Sequence, residues 1–99
     1  MSRYDVYASP DGIGYLIDIQ TDLLQGLSTR VVAPLLPWNA APRPAKLLNP
    51  IFSIGDEQHV MVTQFLSAVP AALYRNSVGN LHDRSDEITR AIDMVFHGF

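Results

Sequence analysis

The sequence contains no cysteine, which excludes disulfide bonds, thiolate metal sites and a cysteine nucleophile. A cysteine-free chain fits a reducing compartment, and the expectation is a cytoplasmic protein. Positive charge is also scarce. Seven Lys+Arg stand against ten Asp+Glu, a formal net charge of −3. Proteins that hold nucleic acid by its phosphates need a basic surface, and bulk charge argues against one here. No stretch approaches the roughly 20 apolar residues that cross a bilayer, and the N-terminal MSRYDVYASPDGIG carries no signal-peptide core. No membrane partner is therefore expected. Neither a GxSxG elbow nor a phosphate-binding P-loop is present.

What remains is a chain of 99 residues with a 47% apolar and 17% charged share. That is enough for a single globular domain, residues 1–99. The first two thirds read as short strands, over about residues 3–75. Tyr4 to Tyr7 alternate, and Pro10-Asp11-Gly12 supplies turn residues. In GYLIDIQ, Tyr15, Ile17 and Ile19 fall on one face and Leu16, Asp18 and Gln20 on the other. This predicts a half-buried antiparallel strand. RVVAPLL is rich in β formers but contains Pro34, which predicts a bulge or an edge position. Residues 37–50 hold four of the seven prolines and read as a stiffened loop. IFSI and HVMVTQF follow as strands joined by a hairpin at Gly55-Asp56-Glu57-Gln58, with a further short strand expected at AALY.

The period then changes. Ile88, Ala91, Ile92, Val95, Phe96 and Phe99 form one helical stripe. Asp83, Asp86 and Glu87 gather at its start, the positive end of the helix dipole. A helix over about residues 83–97 follows, with Ile88, Ile92 and Val95 expected to pack on Ile17, Ile19, Val32, Phe52 and Met61. The fold class is mainly β with one C-terminal α-helix, a small antiparallel barrel capped by that helix.

The candidate chemistry is sparse. His59 follows Asp56-Glu57, a metal set on paper, but adjacent hairpin-tip side chains rarely converge at about 2 Å. A solvated turn is the expected reading. His82 reads as a residue of the helix-capping region, and Ser85 beside Asp86 as a solvent-facing first turn. Neither a catalytic group, a metal site nor a cofactor site is expected. Trp38, in the proline-rich loop, either folds back onto the core or joins a contact surface. Packing is the expected outcome. Leu23-Leu24 cannot both point inward in an extended segment, so one meets a partner or a short helical turn explains the pair. The chain ends on His97-Gly98-Phe99, and the terminal aromatic is either buried against the core or presented to a partner.

GYLIDIQTDLL, RVVAPLLP, IFSIGDEQHVMVTQFLSAVP and NLHDRSDEITRAIDMVFHGF, in that order and spacing, resemble the CcdB family of toxins over nearly the whole chain. The resemblance is weakest in residues 8–14 and 37–49. It implies an SH3-like barrel of the CcdB/MazF/Kid toxin type and a two-fold homodimer. It also implies a non-enzymatic toxin that binds the DNA gyrase A subunit and traps the cleaved-DNA complex. The implied partners are that subunit and a cognate CcdA-type antitoxin, with DNA reached only through antitoxin or gyrase. Toxin and antitoxin together would repress their own operon. The family's gyrase-facing surface falls on Leu23, Leu24, Asp93, Phe96, His97, Gly98 and Phe99. Three positions depart from the family pattern. His97 stands where the family has a tryptophan that stacks on a gyrase arginine, Asp93 where it has asparagine, and Phe99 where it has an aliphatic residue. Two alternatives stay open: a CcdB-fold protein that binds antitoxin with lost or altered gyrase poisoning, and a MazF-type ribonuclease toxin.

Overall fold

Residues 1–98 are described by the computed structural model. The fate of Phe99 lies outside the described residues. The alternating N-terminal segments form an antiparallel hairpin, β1 (Asp5–Ala8) with β2 (Tyr15–Asp18), in which Val6 pairs with Ile17. The turn between them is tied by Asp11, whose Oδ1 accepts from Ser9 Oγ at 2.7 Å and Ile13 N at 2.8 Å. Gly14 closes the turn with φ +71°, and a Cβ there would lie 2.1 Å from the Leu35 carbonyl oxygen. Only glycine fits that approach.

Strand β3 (Thr29–Pro37) organises the sheet. It pairs with β2 along one side. Along the other it pairs first with β6 (Ser67–Pro70) through Thr29–Val32, then with β5 (Glu57–Met61) through Leu35–Pro37. Pro34 therefore sits in a central strand, not on an edge. Its carbonyl accepts from Val62 N at 2.9 Å, so its ring nitrogen faces the same side. That side is the seam where β6 gives way to β5, and no ladder donor is needed there.

The remaining strands are β4 (Ile51–Ile54) and β7 (Gly79–Asn80), in the order β4-β5-β3-β2-β1-β7, with β6 branching from β3. All pairings are antiparallel. The β4–β5 hairpin turns on Gly55-Asp56 with Gly55 at φ +62°, as the sequence predicts. Residues 38–50 form the expected loop. It is pinned by the buried Asn49, whose Nδ2 donates to the Met61 carbonyl at 3.1 Å and to Gln64 Oε1 at 2.8 Å.

Two expected strands are shorter or absent. AALY is a 3-10 turn, Ala71–Leu73, because β6 ends at Pro70 and alanines contribute little to a sheet. HVMVTQF leaves the sheet after Met61, and Thr63–Phe65 forms a second 3-10 turn. Here the Thr63 hydroxyl donates to the Leu48 carbonyl.

Helix α1 (Ser85–His97) follows a 3-10 turn at His82–Arg84 and closes the half-barrel sheet. Tyr4, Val6, Ile17, Ile19, Ala33, Leu35, Phe52, Met61, Ile88 and Ala91 form one core. Ile92 packs partly against it, whereas Val95 is only half-buried. Val32 is buried on the opposite face of β3, since alternation separates it from Ala33 and Leu35. It is not a partner of the helix.

His59 and Trp38 also differ from expectation. The hairpin loop is so tight that β5 starts at Glu57, placing His59 between Phe52 and Pro37 in the ladder. His59 is 3% exposed, 5.1 Å from the Tyr15 ring, with Nδ1 3.1 Å from the Glu57 carbonyl oxygen. It is a buried residue, not a solvated one. Trp38 is half-exposed. Its backbone N–H donates to Gln58 O at 3.0 Å, continuing the β3–β5 ladder one residue and holding the indole out of the core.

Candidate functional site

The C-terminal half of α1 extends past the core. Its burial falls from Ile88 and Ala91, fully buried, through the half-buried Ile92, Asp93, Met94 and Val95, to exposed Phe96, His97 and Gly98. Phe96 is 61% exposed, a large apolar side chain without a core to enter. The helix is stopped by Gly98, in the left-handed region at φ 78°, ψ 16°. Its N–H is shared between the Asp93 and Met94 carbonyls at 3.2 Å each. This cap consumes helix-terminal acceptors and fixes the direction in which the chain leaves. His97 lies in the last turn, where a cation is favoured by the negative end of the dipole. At the other end, Asp86 and Glu87 occupy the first turn, and Arg84 pairs with Glu87.

The second exposed patch is the β2–β3 connection. Asp22–Leu24 is a 3-10 turn capped by Thr21, whose Oγ1 accepts from Leu23 N at 3.3 Å. Leu23 is 93% exposed, and Leu24 and Leu27 about half-exposed. The short helical turn allowed by the sequence is present, and it presents the leucines instead of burying one.

Beneath this turn lies a polar network that sequence reasoning missed. Arg30 is 1% exposed. Its Nε and Nη2 grip Asp18 at 2.7 and 3.0 Å, and Nη2 also donates to the Gln20 carbonyl and Asp22 Oδ1, each at 3.1 Å. Gln20 in turn accepts from Val31 N at 3.1 Å and reaches the Leu24 carbonyl at 3.4 Å. Asp22 accepts from Arg3 N at 2.9 Å. That bond first, and Arg30 second, hold the Asp22 carboxyl below the usual range. Burial pushes the Asp18 carboxyl up, against the pull of the Arg30 guanidinium. The buried Arg30 thus ties the start of the leucine turn to the sheet, and the Gln20 side chain reaches its end. The available signal was an acid and a base on one face of adjoining strands, visible only once the β2–β3 register is known.

Within one chain, the α1 backbone runs nearest the Thr63–Phe65 turn and its own lead-in turn, while Ile88 and Ala91 reach into the sheet core. The leucine turn is not among its principal packing partners. Of the sequence-predicted site, Phe96, His97 and Gly98 therefore stand together at the helix end with half-buried Asp93 behind them. Leu23 and Leu24 form their own patch, and Phe99 lies outside the described residues.

A cleft of about 640 Å³ is lined by Ser9, Tyr15, Asp56, Glu57 and His59 among others. Among the described residues no three His, Asp or Glu side chains gather as a metal set, and no helix is long and apolar enough to cross a membrane.

Against solved structures, the chain is similar to an endoribonuclease in complex with its cognate antitoxin from a Mycobacterial species. The TM-score is 0.73 and the identity 13%, with 96% of this chain and 93% of that one covered. At that identity the likeness shows the fold alone, a mainly β half-barrel sheet with one C-terminal helix. Over sequence, a family model described as CcdB protein matches residues 3–98. That span runs from the first strand through the Gly98 cap and takes in both exposed patches. The chain belongs to the CcdB family.

Proposed function

We propose that this protein is the toxin of a toxin–antitoxin module, and that as a homodimer it binds the DNA gyrase A subunit and traps the gyrase–cleaved DNA complex. The observation that carries the reading is the end of α1: Phe96, His97 and Gly98 exposed and rigidly capped, in a chain of the CcdB family. A helix end of this kind, doubled by a two-fold axis, offers a compact apolar probe with a basic edge. The leucine turn, stiffened by Arg30, supplies an apolar flank. The action is by binding, not by catalysis. A CcdA-type antitoxin is the counter-ligand, and the pair would act together on their own operon.

A ribonuclease reading draws support from the fold of the antitoxin-bound endoribonuclease. Phosphate chemistry, however, needs cations at the reacting group. Here two of the seven Lys and Arg, Arg30 and Arg84, are held by Asp18 and Glu87, in a chain of net charge −3. A third reading, antitoxin binding without gyrase poisoning, draws on His97, Asp93 and Phe99 in place of the family's usual residues. An ionised Asp93 only accepts hydrogen bonds where an asparagine also donates, and an imidazole offers less stacking area than an indole.

One experiment separates the three. The protein is incubated with gyrase, supercoiled DNA and ATP, and in parallel with a labelled RNA. Accumulation of cleaved DNA with intact RNA is the expected result. Cleaved RNA selects the ribonuclease, and neither product selects the antitoxin-only protein.

A further inference from the structure

The outer edge of β1 is only partly covered. The Val6 carbonyl accepts from Val78 N at 2.7 Å, so Val6 faces the β7 side. Ser9 N turns the other way, to the Gly14 carbonyl at 3.1 Å. By the two-residue alternation of an antiparallel ladder, the next outward-facing backbone is that of Ala8. Ala8 is exposed, and the β1–β7 pairing ends at Val6 and Gly79, before it reaches Ala8. The result is a cleft of about 610 Å³ lined by Tyr7, Ala8, Pro10, Leu73, Tyr74 and Arg75, with Ala72 and Asn76 at its margin.

Its walls are specific. Tyr7 and Tyr74 meet edge to face, 5.8 Å apart, and make an aromatic floor. The Tyr7 hydroxyl is already held by Asp5. Leu73 is 73% exposed at the rim. Arg75 is the one charged lining residue. Its Nε donates to the Ala72 carbonyl at 3.3 Å, and none of the salt bridges among the described residues involves it.

We propose that this cleft is a docking slot for an extended segment of a partner protein, whose backbone pairs with Ala8 and whose alternating side chains place a carboxylate on Arg75 and aliphatic groups on Tyr74 and Leu73. Strand addition at an open edge supplies main-chain hydrogen bonds, and pockets for alternate side chains supply selectivity. A lone arginine beside apolar walls selects an acidic–aliphatic segment over a basic one. The cleft volume lies within the range that holds small ligands and short peptides. The site is distinct from the helix end and does not depend on the gyrase reading.

The test uses the peptide acetyl-Val-Glu-Val-Glu-Val-amide, titrated into the ¹⁵N-labelled full chain and followed by amide chemical shifts and hydrogen exchange. The expected result is shifts confined to residues 7–10 and 72–76, with slowed exchange of the Ala8 amide. Arg75→Gln should weaken binding about tenfold or more, as for a lost charge-assisted hydrogen bond. A peptide with Lys in place of Glu, and one N-methylated to block pairing, should not bind. Arg75 is exposed, so the variant keeps the fold and unshifted signals elsewhere verify it. Absence of shifts at about millimolar peptide, or equal binding of the Lys or N-methylated peptide, overturns the proposal. So does concentration-dependent protection of Ala8 without peptide, which would make a second copy the occupant.

Discussion

Arg30 places a guanidinium in the interior of the sheet, 1% exposed, against an equally buried carboxylate. Such a pair is costly to break from one side, because the remaining charge has neither water nor partner. Arg30→Met should therefore lower the unfolding free energy by about 3–5 kcal/mol. The double variant Asp18→Leu/Arg30→Met should recover most of it, as urea denaturation of the three proteins would measure. A double variant as unstable as the single one would mean that the other bonds of Arg30, to Gln20 and Asp22, matter more than its charge. Asp22 gives the opposite sign to Asp18. Its folded pKa is depressed, by the Arg3 amide first and then by Arg30. Its contribution is therefore complete above the ordinary carboxylate value of about 4 and is lost as pH falls through the depressed folded value. Asp18, raised by burial, works against folding when ionised, so its protonation on the acid limb acts in the opposite direction. Comparing the wild type with Asp22→Asn isolates the Asp22 term. The stability difference should be constant above about pH 5 and shrink below about pH 4. A difference that grows on acidification would contradict it. None of this network was legible beforehand. Strand alternation was read one strand at a time, and it placed Asp18 and Gln20 with Leu16 on the mixed face of a half-buried strand. Only the pairing of Asp18 with Val32 shows that Arg30 rises beside them. His59 went the same way, because a two-residue turn carried it into the ladder.

The helix was the most legible element, since a stripe at 3.6-residue spacing is local information. What the stripe could not say is how far along the helix the core reaches. Ile88 and Ala91 are buried and Ile92 only partly so, and beyond them burial falls off along the same pattern, with Val95 half-buried and Phe96 exposed. Ile88→Ala should cost about 2–5 kcal/mol and Ile92→Ala about 1–2 kcal/mol, read as shifts in the denaturant midpoint. The reverse order would place the core further along the helix than described. The Ala71–Leu73 turn illustrates the converse limit. Its neighbours are apolar, but Pro70 ends the ladder, and no alternation over four residues could have revealed that. The leucine turn was half legible. Two adjacent leucines signalled a departure from strand geometry, but not that both would face outward.

At the scale of the whole molecule, the fold class followed from the change of period between the strands and the helix, and the strand order did not. β3 receives β2, β5 and β6, and such non-local pairing leaves no mark in a single sequence. The site fared similarly. The exposed ends of α1 and the leucine turn are separate patches in one chain, and the proposed function joins them through a two-fold axis. A symmetric homodimer at micromolar concentration is the expected outcome of sedimentation equilibrium. A monomer, or a dimer whose Phe96 remains as solvent-accessible as in one chain, would remove the composite surface. The most direct measurement compares the full chain with one ending at Phe96 in the gyrase–DNA cleavage assay, with thermal unfolding recorded on the same samples. The last core contacts described lie at Ile88, Ala91 and Ile92. The shortened chain should therefore unfold within a few degrees of the full one, a shift worth roughly 1 kcal/mol or less, yet trap no cleaved DNA. A shortened chain that remains folded and still traps cleaved DNA would contradict the assignment of the helix end as the gyrase contact.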